Sequence, residues 1–315
     1  MALPKFVKIH DDTPREGWQN LKKIIPTEKK IELIKDIIDS GQTEISVTLL
    51  PNPKYVPQHA DSEDVVAGVI DYAEEHGVLL GVGRLKESRY QTMIERGLIR
   101  EGVTVNSKRL TTLLAISDEH AHTNFHSSVE EQYARAQAVA DKAKAEGKEF
   151  GGAIICAFGS PVGDVSLDDL IRAVKFYRDN GATFISLADT DGLSNPANTE
   201  RCLDAVLDLV PAEILDCHLH DTAGFGLTNT YIALHHGIAS FDSCIGGLGG
   251  CPFIPDARGM IATEDIINLV QGMGIECNLD LDKTMKVARK MGEELGIPMV
   301  GYMDKLYMSQ LWCQR

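Results

Sequence analysis

Cys217-His218-Leu219-His220-Asp221 reads as the C-terminal end of a short β-strand, and the reading of the fold starts there. Side chains on a strand alternate between its two faces, so His218 and His220 point to the same side. Two imidazoles on one face, one residue apart, can chelate a single metal ion, with Asp221 and Thr222 placed to support the site. The competing reading is a pair of histidines satisfied by ordinary hydrogen bonds.

This strand, 214–221, is one of eight. The others are 6–12, 44–50, 78–82, 110–117, 150–158, 183–190 and 240–246. Amphipathic stretches of helical length lie between them, among them 27–40, 62–75, 128–146, 166–180 and 196–210. Ser128 with Glu131 three residues on forms a capping box. Thr263-Glu264-Asp265 reads as an N-cap followed by acidic residues in the first turn. Gly147 and Gly181 fall where helices should stop. Strand–helix alternation of this length predicts a parallel sheet. A count near eight predicts closure into an α/β (β/α)8 TIM barrel, with an open doubly wound sheet as the structural alternative. Residues 102–108 read as a short polar insertion before the fourth strand. Two further helices, 281–295 and 302–311, follow the eighth unit. The expected organisation is a catalytic barrel over 1–275 and a helical extension over 276–315 packed on it.

The chain has 315 residues, enough for a barrel of roughly 250 with additions. Its net charge is −15, from 31 basic and 46 acidic residues. Such a chain repels phosphate backbones and anionic lipid, so neither nucleic acid nor membrane is expected as a partner. An anionic substrate would need a local basic cluster. No stretch approaches the roughly 18 uninterrupted apolar residues of a membrane helix, and the N-terminus shows no apolar export core. The seven cysteines are scattered, odd in number and without a CxxC pair. Reduced thiols in a cytoplasm are therefore expected.

In a barrel the chemistry sits at the C-terminal strand ends. The first strand ends Asp11-Asp12-Thr13-Pro14-Arg15-Glu16-Gly17. A carboxylate beside an arginine suits a metal site that also holds an anion: Glu16 could complete the ligand set, and Arg15 could stabilise a developing enolate oxygen. An exposed loop salt bridge is the plainer reading. The sixth strand ends Asp189-Thr190-Asp191-Gly192, either a ligand-orienting or proton-relaying Asp189 or an Asx turn opening the next helix. The eighth leads into Gly246-Gly247-Leu248-Gly249-Gly250-Cys251-Pro252. A thiol there could move a proton, because it titrates nearer neutrality than a hydroxyl. A lone cysteine is otherwise a small buried hydrophobe. A second HxH, His120-Ala121-His122, is expected in a loop as surface or substrate-side polarity.

Together these pieces resemble the 3-hydroxy-3-methylglutaryl-CoA lyase family. The resemblance rests on Gly247-Leu248-Gly249-Gly250-Cys251-Pro252 followed by Ala262-Thr263-Glu264-Asp265. It rests also on Pro14-Arg15-Glu16-Gly17 with Gln19-Asn20, on Pro53-Lys54-Tyr55-Val56-Pro57-Gln58, on Ser186-Leu187-Ala188-Asp189-Thr190 and on His218-Leu219-His220-Asp221-Thr222. It implies a divalent metal, magnesium or manganese, and retro-aldol (Claisen) cleavage of a 3-hydroxyacyl-CoA to acetyl-CoA and a keto acid. By the same resemblance Arg15 steadies the enolate, Cys251 moves a proton and Asp189 supports catalysis. Glu16, His218 and His220 hold the metal. Gln19, Lys22, Ser46 and Thr222 face the substrate, with Lys22 near the coenzyme A mouth. A homodimer is the implied assembly.

Three positions depart from the family pattern. Glu16 replaces an aspartate, lengthening the arm. Met260 stands where the family has an asparagine ligand, and a thioether is a poor ligand for magnesium. Ser46 replaces a glutamate near the reacting substrate. Cys313 weakly parallels a tail thiol of some members. The alternatives are a related aldolase or acyl-CoA synthase acting on another 3-hydroxy acid, and a non-catalytic binding paralogue.

Overall fold

The alternation read from the sequence is present along the chain in this computed structural model, which describes residues 3–250 and 258–307. The first half runs β1 (Phe6–Asp11), α1 (Thr27–Asp39), β2 (Glu44–Thr48), α2 (Ser62–Glu75), β3 (Leu79–Val82), α3 (Glu87–Glu95), β4 (Arg109–Ala115), α4 (Asp118–Phe125) and α5 (Val129–Glu146). The second half runs β5 (Glu149–Ile155), α6 (Leu167–Asp179), β6 (Phe184–Asp189), α7 (Pro196–Leu207), β7 (Leu215–Leu219), α8 (Gly226–His235) and β8 (Ser240–Ser243). It ends with α9 (Thr263–Gly272), α10 (Leu281–Leu295) and α11 (Tyr302–Tyr307). The rest of the predicted 302–311 helix lies outside the described residues. Among the described residues no helix is long and apolar enough to cross a membrane.

The chain divides into two compact units, and β8 contributes residues to both. The first, chiefly 108–241, carries the strand order β8-β7-β6-β5-β4. Its ladder is parallel and regular, with Leu110 opposite Phe150, Gly151 opposite Phe184 and Ala188 opposite His218. Helix α6 buries Leu170, Ala173, Val174 and Tyr177, one stripe at helical spacing. The Tyr177 hydroxyl donates toward the carbonyls of Thr112 and Ala153 at 3.3 and 3.4 Å. Gly152 permits this approach, since a Cβ there would collide with the Thr112 carbonyl. The capping box closes α5 at Ser128 as expected, and Gly147 ends it in the left-handed conformation.

The second unit comprises 7–107 with the segments around β8 and α9–α11, and its strand order is β3-β2-β1-β8. Leu33, Ile34, Ile37 and Ile38 form the buried face of α1. They join a core containing Trp18, Val66, Val69, Ile70, Leu80, Met93, Ile245 and Met291. Helix α10 lies beside α1: Lys290 reaches Glu32 and Asp36 at 2.7 Å each. The Trp18 indole meets Met291 Sδ at 3.5 Å.

Two local expectations are corrected. The segment at His120 is a helix, because the Ser117 hydroxyl caps it by accepting the His120 N–H at 3.1 Å. Thr263 is the first helical residue rather than the N-cap of α9, which is Ala262; its hydroxyl pairs with Ser243 Oγ at 2.8 Å instead. The stretch 102–108 is tied to β3, with Leu80 N–H donating to the Val103 carbonyl at 2.7 Å.

Candidate active site

In the first unit the site residues gather where β6 and β7 end. His218 and His220 lie on one side of β7, their ring centroids 5.4 Å apart and their planes tilted by 50°. His220 is buried and His218 half-buried. Asp189 closes β6 opposite Leu219 and is buried. Both its oxygens accept the Ser194 N–H at 3.3 Å, five residues on rather than the two of an Asx turn, and the Asn195 side chain caps the next helix. Burial, reinforced by the adjacent Asp191 carboxyl, holds Asp189 well above the usual carboxylate range. Gly192 (φ 67°) brings this loop against the exit of β7. A Cβ at Gly192 would stand 2.8 Å from Thr222 N and Oγ1 and 2.9 Å from His220 Cβ. Asp189, His220 and Thr222 therefore belong to one constellation, supported by the N–H of Ala223 donating to the Gly192 carbonyl at 2.9 Å.

In the second unit β1 exits into a five-residue π turn, Thr13–Gly17. Asp11, fully buried, accepts the Thr13 N–H and hydroxyl at 3.0 and 2.9 Å. Burial still pushes its carboxyl up to about 7. Thr13 Oγ1 in turn accepts the Ile245 N–H at 2.8 Å, tying the turn to the segment after β8. Arg15 pairs directly with Glu16 and stands 3.8 Å from Asp12. Gln19 donates to the other Glu16 oxygen at 3.0 Å. Glu16 is thus engaged from two sides. Asp12 and Asp242 bring carboxylate oxygens within 4.8 Å of each other, a pair not singled out in the sequence. The available signal was Asp242 alternating with Ser240 on a strand.

The glycine-rich segment lies along the same turn. Gly249 (φ 110°) sits so close to Glu16 that a Cβ would come 3.1 Å from its Cγ. Asn20 donates to the Gly250 carbonyl. Cys251 and Cys313 lie outside the described residues. Met260 is buried, its sulfur 3.5 Å from the Cys244 thiol. Burial raises that thiol well above its ordinary value, so the position carries two neutral sulfurs. Ser46 is half-buried on β2 opposite Gly81, and Lys22 is exposed beyond the turn. Two buried side chains escaped the sequence reading as site residues, Gln58 and His59. Gln58 holds the main chain at Leu21, Lys23 and Ile25, and His59 bonds the Arg15 carbonyl at 3.1 Å.

Chemically, the first unit offers two imidazole nitrogens and the second offers carboxylate oxygens. The carboxylate pair of the second unit suits a small divalent cation such as magnesium or manganese. The Met260–Cys244 sulfur pair does not.

A family model described as HMGL-like matches residues 6–291. The mitochondrial hydroxymethylglutaryl-CoA lyase of Arabidopsis thaliana is 36% identical over 298 residues, 94% of this chain. The chain spans 61% of that relative's length. Hydroxymethylglutaryl-CoA lyase of Pseudomonas aeruginosa superposes with a TM-score of 0.86 at 31% identity, covering 98% of this chain and 99% of that one. An HMG-CoA lyase of Acinetobacter baumannii, solved with coenzyme A and 3-methylmalate, gives 0.84 at 30% identity, covering 97% of this chain and 96% of that one.

Proposed function

The chain belongs to the HMGL-like family, and from that premise we propose that it is a divalent-metal-dependent carbon–carbon lyase. It cleaves a 3-hydroxyacyl-CoA, such as 3-hydroxy-3-methylglutaryl-CoA, to acetyl-CoA and a keto acid. The observation that carries this reading is the imidazole pair on β7 beside the buried Asp189, an inward polar cluster at adjoining strand ends. By the family resemblance, Glu16, His218 and His220 would hold the magnesium or manganese ion. When bound, the ion supplies Lewis-acid polarisation of substrate oxygens.

The chain's own groups do the rest. Arg15 donates to the enolate oxygen that develops as the carbon–carbon bond opens. Its pairing with Glu16, itself held by Gln19, supports a fixed guanidinium, which needs little reorganisation at the moment of reaction. Asp189, held protonated near neutrality by burial, keeps a proton next to His220 and Thr222. As the carbon–carbon bond breaks, the 3-hydroxyl gives up its proton and becomes the keto group, and Cys251 passes a proton to the departing acetyl carbon. Gln19, Ser46 and Thr222 contact the acyl portion, and Lys22 meets the anionic coenzyme A. The coenzyme A bound to the Acinetobacter baumannii relative supports an acyl-CoA substrate.

The same proposal includes a closed (β/α)8 ring over 1–275 with 276–315 packed on it, a homodimer, and work in the cytoplasm. The free thiols of Cys156, Cys202, Cys217, Cys244 and Cys277 support the last point. The Met260–Cys244 sulfur pair favours one variant of this reading, in which the substrate is a different 3-hydroxy acid.

The test is acetyl-CoA release from 3-hydroxy-3-methylglutaryl-CoA by purified protein with magnesium or manganese, abolished by chelation and restored by added metal. Absence of product from that thioester overturns the substrate. Absence across a panel of 3-hydroxy acids and their thioesters overturns the activity.

A further inference from the structure

The turn Pro57–His59 places two buried polar side chains next to each other, and both grip the segment 15–25 from outside. Gln58 donates to the carbonyls of Leu21 and Lys23 at 3.3 and 2.7 Å and accepts the Ile25 N–H at 3.2 Å. His59, 7% exposed, reaches the other end of the segment, with Nε2 3.1 Å from the Arg15 carbonyl. A carbonyl only accepts, so Nε2 carries the proton and donates. The turn is itself braced. Lys30 bonds the Gln58 carbonyl and Asp61. The Ser62 hydroxyl donates to the His59 carbonyl at 2.9 Å and meets Thr48 Oγ1, at the end of β2, at 2.9 Å. Pro14, Trp18, Val47 and Val65 line the small cavity beside the ring. A donor so anchored fixes the height and rotation of the Arg15 peptide.

We infer that His59 is a positioning residue for Arg15: its Nε2–H sets the backbone from which the guanidinium is aimed at the reacting oxygen. This rests on the role proposed for Arg15. Burial pushes the imidazole down to about 4, so the ring is neutral near pH 7 and its single proton is the one the carbonyl demands.

The experiment compares His59→Met, which keeps apolar bulk and removes the donor, with His59→Gln, whose amide nitrogen can stand near the Nε2 position. His59→Met lowers kcat about tenfold with KM within about twofold, and His59→Gln recovers most of the loss. In an Arg15→Ala background His59→Met changes the residual rate less than about twofold, because no guanidinium remains to be aimed. Equal losses in both backgrounds, or no recovery by Gln, overturn the inference. A second measurement needs no turnover: the Arg15 Nε–H resonance, assigned by nuclear magnetic resonance, moves in His59→Met and stays in His59→Gln. An unmoved resonance in His59→Met overturns the inference even if the lyase reading itself fails.

Discussion

Glu264 offers a stability test whose sign follows from its surroundings. It lies in the first turn of α9 and is fully buried. One carboxyl oxygen accepts the Gly246 N–H at 3.1 Å. The other, Oε1, has no hydrogen-bond partner among the described residues. Burial, helped by Asp265 and Asp304, pushes the acid up to about 8 from an ordinary 4.5. Between those values the folded chain holds a proton that the unfolded chain has released. Stability contributed by the neutral acid is fully present below pH 4.5 and is lost as pH rises through about 8. The slope is about 1.4 kcal/mol per pH unit, so the loss reaches at most about 4 kcal/mol by pH 7.5. Glu264→Gln keeps an acceptor for Gly246 and removes the ionisation, at a cost of about 1 kcal/mol for an amide N–H set in place of Oε1. The variant should therefore be slightly less stable than wild type at pH 5 and about 2–3 kcal/mol more stable at pH 7.5. Guanidinium unfolding followed by circular dichroism at several pH values measures this. Other titrating groups cancel in the difference. Parallel stability profiles for the two proteins would refute the argument.

Three further outcomes are expected. Gly192→Ala adds a Cβ 2.8 Å from Thr222 N at a φ of 67°. It should cost about 2–4 kcal/mol in denaturant titration and weaken Mn(II) affinity by displacing His220, whereas a stability loss below about 0.5 kcal/mol would contradict the contact. Met260→Asn replaces a buried thioether beside Cys244 by an oxygen donor. Calorimetric Mn(II) affinity should rise several-fold while stability falls by about 1–3 kcal/mol, and an unchanged affinity would show that the position does not bear on the ion. Cys251→Ala should lower turnover by about 100-fold or more with little change in KM, and an unchanged rate would remove the thiol from the mechanism.

What the sequence disclosed about this molecule was local, and what it withheld was long-range. Strand and helix periods located eight of the nine strands among the described residues, missing only the two-residue strand Glu276–Cys277 that pairs with β1. The one-residue spacing of His218 and His220 suffices to put both rings on one face of β7, where they lie. The same local rules failed at His120, where a run of polar residues reads as loop until Ser117 is seen to cap it. They also failed at Thr263, whose hydroxyl bonds across to Ser243 rather than to its own helix. At the exit of β1, short spacings mark Arg15 and Glu16 as candidates. They do not reveal that Arg15 and Gln19 already hold the Glu16 carboxylate. Nor do they reveal that Asp12 meets Asp242, 230 positions away, because the Asp12 N–H bonds the Ser243 carbonyl at 2.8 Å. A carboxylate committed to an arginine must give up that partner, or share it, before it binds a cation. A carboxylate pair offers two negative oxygens to an ion at once, and their mutual repulsion falls when one arrives. Asp12, itself 3.8 Å from Arg15, and Asp242 are therefore candidate oxygen donors beside Glu16 that no local spacing marks.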